Sequence, residues 1–133
     1  MAIEARILDV RVDPTSYAAA TAQVEAWAQK NESRYVCVAN VHMVMEAYDS
    51  PDFKDIVNAA DLVTPDGMPL VWMLRRMGYP QQERVYGPDL TLEVIAAAAL
   101  FSFQASLAVG RFDEDFVSYF EDVDPGFRLR YAL

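Results

Sequence analysis

Two short apolar runs, Tyr35-Val36-Cys37-Val38-Ala39 and Leu62-Val63-Thr64, constrain the chain most. Each is nearly continuous, as strands buried on both faces of a parallel sheet tend to be. Each stops on polar or turn-forming residues, Asn40 in one case and Pro65-Asp66-Gly67 in the other. Helical periodicity follows at once. Val41, Val44, Met45 and Tyr48 recur at i, i+3, i+4 and i+7 after the first run. Leu70, Met73, Leu74 and Met77 recur after the second, and Gly78 suits the end of that helix.

The same alternation extends along the rest of the chain. Residues 5–12 read as an opening strand. Asp13-Pro14 supplies a helix cap and a first-turn proline, and Tyr17, Ala20, Val24, Trp27 and Ala28 carry a helix to about Gln29. Ser50-Pro51 starts another helix through Phe53, Ile56, Val57 and Ala60. Gly87-Pro88 opens one through Leu92, Ile95 and Ala99. Beyond it, residues 105–109 are expected as a strand, Phe112, Phe116, Val117 and Phe120 as a short helix, and residues 127–131 as an edge strand. Strands alternating with helices predict an α/β fold: a Rossmann-like, mainly parallel sheet with helices on both faces, in a single domain over 1–133.

Composition narrows the function classes. The 133 residues carry 20 acids against 11 bases, a net charge of -9, which argues against nucleic acid as a partner. With 53% apolar residues there is material for a core. Cys37 is the sole cysteine, so a disulfide within the chain is impossible. The start of the chain lacks the pattern of a signal peptide and no apolar run reaches membrane-spanning length, so a cytoplasmic protein is expected. The acids between Asp113 and Asp124 suit a solvated helix face.

In open α/β sheets, ligands bind beyond the carboxyl ends of the strands. That rule selects Asn40 and Pro65-Asp66-Gly67, both at helix N-termini, where free N–H groups favour an anion. Asp66 reads either as a helix cap or as a general base in a crevice, and Asn40 is open to the same two readings. Between Leu62 and Gly87, Arg75, Arg76 and Arg84 stand against Asp66 and Glu83. This local excess of positive charge suits a diphosphate, with Arg84 as the candidate contact and Arg75 and Arg76 as an exposed helix face. His42 has no partner spacing for a triad or a metal, and no metal or cofactor is expected. Cys37, on a buried strand, reads as inert. Met43, Met45, Met68, Met73 and Met77 read as core filler, and Trp72 as core rather than a lipid-facing residue.

Three blocks carry a resemblance. They are Val38-Ala39-Asn40-Val41-His42-Met43-Val44, then Ala60-Asp61-Leu62-Val63-Thr64-Pro65-Asp66-Gly67-Met68-Pro69-Leu70-Val71, then Arg84-Val85-Tyr86-Gly87-Pro88-Asp89-Leu90-Thr91. In order and spacing they resemble the WecG/TagA/CpsF glycosyltransferases, closely over 35–91 and more weakly through Leu107-Ala108-Val109-Gly110 and Asp124-Pro125-Gly126-Phe127-Arg128.

The resemblance implies transfer of a hexose or N-acetylhexosamine, such as N-acetylmannosamine, from a UDP-sugar. The implied acceptor is a lipid-linked saccharide used for cell-surface polysaccharide or teichoic-acid-type polymers. It implies Asp66 as general base, Arg84 at the donor diphosphate, and Asn40, Gly67 and Gly87 in the donor pocket. It also implies a cytoplasmic protein, peripheral at the inner face of the plasma membrane, with no metal and with a homo-oligomer left open. Val38 stands where the family has a Thr, and Gly110-Arg111 where it has a Gly-Gly loop. The family's Gly-x-Pro-x-Gln-Glu motif and basic C-terminal tail have no counterpart, so a donor-side part of the family fold is expected. The alternatives are a truncated, non-catalytic member that binds nucleotide or a partner chain, and an unrelated α/β module in which the motif residues are only caps.

Overall fold

The computed structural model describes residues 4–109, with side chains through residue 104. In chain order the elements are β1 (Arg6–Ile7), β2 (Val10–Arg11), α1 (Tyr17–Gln29), β3 (Val36–Ala39), α2 (Val41–Asp49), α3 (Pro51–Asn58), β4 (Leu62–Pro65), α4 (Met68–Arg76) and α5 (Gly87–Val109). The fold is mixed α/β with two small sheets. β1 and β2 form an antiparallel hairpin, while β3 and β4 pair in parallel with Val36 opposite Leu62 and Ala39 opposite Pro65. By compactness the chain divides into two units, Met1–Val94 and Ile95–Leu133.

The parallel pair is covered on both faces, as its continuous apolar sequence requires. Ala39 and Val63 share one core with Ile7, Val10, Val44, Val57, Leu70 and Leu74. Leu62 belongs to the other, with Ala20, Val85 and Leu90, against which Val36, Tyr17 and Trp27 pack. Cys37 lies partly buried on the first of these faces. Burial pushes its thiol above the ordinary range, which keeps it protonated and unreactive at neutral pH.

The opening strand is two strands. Residues 5–12 fold back on themselves because Leu8 and Asp9 take positive φ angles of 53° and 63°. Two consecutive residues in that region make the tight turn whose twist matches a hairpin. Alternation alone does not reveal such a turn when neither residue is glycine. The hairpin is tied to α3 through Asn58, whose Oδ1 accepts from the Arg11 N–H (2.8 Å) and whose Nδ2 donates to the Asp9 carbonyl (3.0 Å).

Asp13 does not cap α1. Ser16 does, accepting through Oγ from the Ala19 N–H (3.2 Å). Asp13 is buried instead and acts as a polar continuation of the sheet. Its Oδ2 accepts from the Val63 N–H (2.8 Å), its N–H donates to the Val63 carbonyl (2.8 Å), and its Oδ1 accepts from Arg11 Nε (2.8 Å). A carboxylate this buried is tolerated only with such a set of donors.

Three further expectations change. Met45, Met68, Met73 and Met77 are exposed rather than core, and only Met43 packs against the core. Trp72 is 57% exposed. The inward face of α4 is already filled by Leu70, Val71 and Leu74, so the next residues round the helix turn outward. Residues 105–109, expected as a strand, continue α5, where the alanine-rich 96–99 stretch favours unbroken helix. The helix expected at 112–120 and the strand expected at 127–131 lie outside the described residues.

Candidate active site

Ala39 and Pro65 are paired at the carboxyl end of the parallel strands, so the next residues, Asn40 and Asp66, stand at equivalent positions. The link is direct: the Asp66 N–H donates to the Ala39 carbonyl (2.8 Å), and so does the Gly67 N–H (3.3 Å). Helices α2 and α4 both start here, which brings the positive ends of two helix dipoles to one end of the parallel pair.

The two polar residues behave differently. Asn40 caps α2, its Oδ1 accepting from the Met43 N–H (2.9 Å). Asp66 caps nothing. The cap of α4 is Gly67, which makes no side-chain hydrogen bond, and a proline sits in that helix's first turn. The Asp66 carboxylate, with 17% of its side chain exposed, turns across the crevice to Arg84. Oδ1 accepts from Arg84 Nε (2.9 Å) and lies 2.8 Å from Nη2, while Oδ2 accepts from the Gly87 N–H (3.3 Å). Arg84 Nε also donates to the Asp66 backbone carbonyl. A charge-assisted pair of this kind fixes both side chains in one orientation.

Arg84 reaches this point because its neighbours are anchored. The Val85 N–H donates to the Pro65 carbonyl (2.8 Å), so the 84–86 segment runs alongside the end of β4, and the Val85 side chain is buried. The Arg84 guanidinium stands 4.6 Å over the Tyr86 ring. The Tyr86 N–H in turn donates to the Tyr17 hydroxyl (2.9 Å), on a helix 69 residues earlier. With nearly half of its side chain exposed, Arg84 keeps a solvent-facing edge.

Of the two glycines, Gly87 sits where space is short, while Gly67 would take a Cβ at ordinary contact distance. A Cβ on Gly67 would lie 3.4 Å from Asn40 Cα, and one on Gly87 would lie 3.1 Å from Val38 Cγ1 and 3.6 Å from Asp66 Oδ2. Gly87 lets α5 begin against β3 with its N–H on the carboxylate. All five residues singled out in the sequence therefore meet in one place: Asn40, Asp66, Gly67, Arg84 and Gly87.

Tyr17 and Tyr86 were not singled out. Tyr17 reads as an ordinary apolar helix position, and only its partner 69 residues away gives it a role. The remaining candidates lie apart from this chemistry. His42 is exposed, with Nε2 3.3 Å from Glu46 Oε1 on the same helix. Arg75 and Arg76 are exposed as expected, and Arg75 Nε donates to the Gln82 carbonyl (2.8 Å). Among the described residues no group of three or more His, Cys, Asp or Glu is placed to hold a metal, and no helix is long and apolar enough to cross a membrane.

The chain belongs to the glycosyl transferase WecG/TagA/CpsF family, whose model matches residues 5–108. It is similar to an N-acetylglucosaminyldiphosphoundecaprenol N-acetyl-beta-D-mannosaminyltransferase of Bacillus spizizenii (strain ATCC 23059 / NRRL B-14472 / W23), at 28% identity over 72 residues. The match covers 54% of this chain and 28% of that relative's length.

Proposed function

We propose that the crevice binds a nucleotide-diphosphate sugar, UDP-linked, and that a hexose or N-acetylhexosamine such as N-acetylmannosamine is transferred from it to a lipid-linked saccharide acceptor. The product class is a precursor of cell-surface polysaccharide or a teichoic-acid-type polymer. The observation that carries this reading is the Asp66 carboxylate, released from capping duty and held between Arg84 and the Gly87 N–H where two helices start.

In the proposed reaction Asp66 takes the proton of an acceptor hydroxyl. That oxygen bonds to the anomeric carbon as the bond from carbon to diphosphate oxygen breaks, and the nucleoside diphosphate leaves with the electron pair. Arg84 and the N-termini of α2 and α4 offset the charge on the leaving group. Arg84 has a second function before donor binding: it neutralises Asp66. A diphosphate competes for the same guanidinium, so donor binding frees lone pairs on the carboxylate that receives the proton. Asn40 keeps one side-chain oxygen on its cap, which leaves its amide to face the donor.

The parallel pair with cores on both faces supports reading this region as the donor-side part of a Rossmann-like domain. The family supports a protein that works on the cytoplasmic side, peripheral to the plasma membrane. The relative's printed activity supports the choice of donor sugar and lipid-linked acceptor. The test is transfer of labelled N-acetylmannosamine from UDP to a lipid-linked N-acetylglucosamine acceptor by the purified chain, with UDP titration by calorimetry alongside. Turnover supports the proposal. UDP binding without turnover on any nucleotide-sugar would replace transfer by nucleotide binding alone, and neither would remove both.

A further inference from the structure

Helix α4 is amphipathic in an unusual way. Its inward face is Leu70, Val71 and Leu74. Its outward stripe is not polar: Met68, Trp72 and Arg76 follow one another at i, i+4 and i+8, with Met73 beside them. Trp72 is 57% exposed, Met73 45% and Met68 36%. The helix holds no acid, and Arg75 and Arg76 close its last turn, in a chain whose net charge is -9. No carboxylate pairs with Arg76 among the described residues.

We propose that this face of α4 docks on an anionic lipid surface, with Trp72 and the methionines entering the headgroup region and Arg76 meeting lipid phosphates. Tryptophan is the side chain most suited to that boundary, because its ring is apolar while its N–H still finds a polar partner. A helix lying in the interface plane buries one apolar face there while basic residues reach anionic headgroups. Charge decides between this occupant and a second copy of the chain: the stripe carries Arg76 and no acid, so a second α4 supplies no counter-charge for it, whereas lipid phosphates do.

Position supports a lipid surface as well. The stripe begins at Met68, directly after Gly67, and Trp72 lies four residues further, about 6 Å along the helix axis at ~1.5 Å per residue. A bilayer on this face stands on the side where α4 leaves Asp66, which suits a lipid-linked acceptor, a point that rests on the transfer reading. Docking itself does not, and it is measured without donor or acceptor.

The test is sedimentation of the full chain with vesicles of phosphatidylcholine alone and of phosphatidylcholine mixed equally with phosphatidylglycerol. Tryptophan emission is recorded in the same samples. The expected result is binding to the anionic vesicles, with a blue shift absent from Trp72→Ser. Trp72→Ser weakens binding about tenfold, Arg76→Gln about fivefold, and Trp72→Phe recovers part of the loss. These side chains are exposed, so circular dichroism is expected to match the parent. Failure to bind either vesicle overturns the proposal. So does binding that neither substitution weakens, or a concentration-dependent dimer in which the Trp72 shift appears without lipid. Absence of sugar transfer leaves the vesicle result standing, and loss of vesicle binding leaves transfer to a soluble acceptor analogue standing.

Discussion

Asn40 and Asp66 occupy equivalent positions one residue beyond a paired Ala39 and Pro65, and each precedes a nine-residue helix. Asn40 does what its position suggests and caps α2. Asp66 does not. Gly67 and a first-turn proline start α4 without a side-chain cap, and the carboxylate is left to Arg84 and Gly87. Of two residues that look alike in the sequence, one holds a helix and the other pairs with Arg84. The difference lies in the first turn of each helix, Val41-His42-Met43 in α2 against Met68-Pro69-Leu70 in α4. Proline lacks the N–H a cap would bind and is already set for a helical start. Such a helix needs little from the preceding side chain.

That contrast can be broken by mutation. The largest effect is expected in Asp66→Asn, which keeps the shape but not the base: transfer falls by about 10²–10⁴-fold, measured as product formed at saturating donor. Asp66 does not cap α4, but it holds Arg84 and the first N–H of α5, so the unfolding midpoint is expected to fall as well, and the rate is compared on a variant shown to be folded by circular dichroism. Arg84→Ala comes next. Loss of a charge-assisted contact of about 1.5–3 kcal/mol weakens UDP binding by roughly ten- to a hundredfold in a calorimetric titration. Unchanged affinity would remove the diphosphate role.

Asn40→Ala tests the other half of the comparison. Loss of its cap costs about 1 kcal/mol, read as a lower urea midpoint, whereas Asn40→Asp keeps the cap and the midpoint. Asp61 gives the smallest and most conditional effect. It stands just before β4, at the end away from the crevice, where the Tyr35 N–H donates to Oδ2 (3.0 Å) and Arg34 Nη1 to Oδ1 (2.9 Å). The backbone donor first, then Arg34, hold its carboxyl below the ordinary carboxylate value, against the opposing effect of burial. A lowered folded pKa adds stability above the ordinary carboxylate range, and that stability is lost as pH falls through the lowered value. Asp61→Asn is therefore expected to flatten the acid side of the stability profile, seen in urea midpoints from neutral pH downward, while leaving UDP affinity unchanged.

The parallel core and the meeting of its strand ends were legible because their signals are local. Continuous apolar runs announce strands buried on both faces, and helical periodicity directly after Asn40 and after Pro65-Asp66-Gly67 announces two helix starts at one end of the pair. Helix α1 was legible to its end at Gln29, but its start and cap were not, since Asp13 and Ser16 are both good cap residues. Only the tertiary bond from Val63 to Asp13 decides between them. The hairpin at Leu8 and Asp9 was hidden because its turn uses positive φ without glycine. The exposure of Trp72 and Met73 was hidden because α4 is apolar nearly all round, and periodicity cannot say which side faces the sheet. Tyr17 and Tyr86 were hidden by their separation along the chain.

Chemistry is expected to depend on the Arg84-facing carboxylate and not merely on a carboxylate at a strand end. The direct measurement is sugar transfer by the double variant Asn40→Asp with Asp66→Asn, which moves the acid from one strand end to the other. Asp caps a helix as well as Asn does, so the variant is expected to keep the α2 cap, to share the unfolding midpoint of Asp66→Asn and to transfer no faster than Asp66→Asn alone. Transfer at the parent's rate would contradict the assignment of Asp66 as the base.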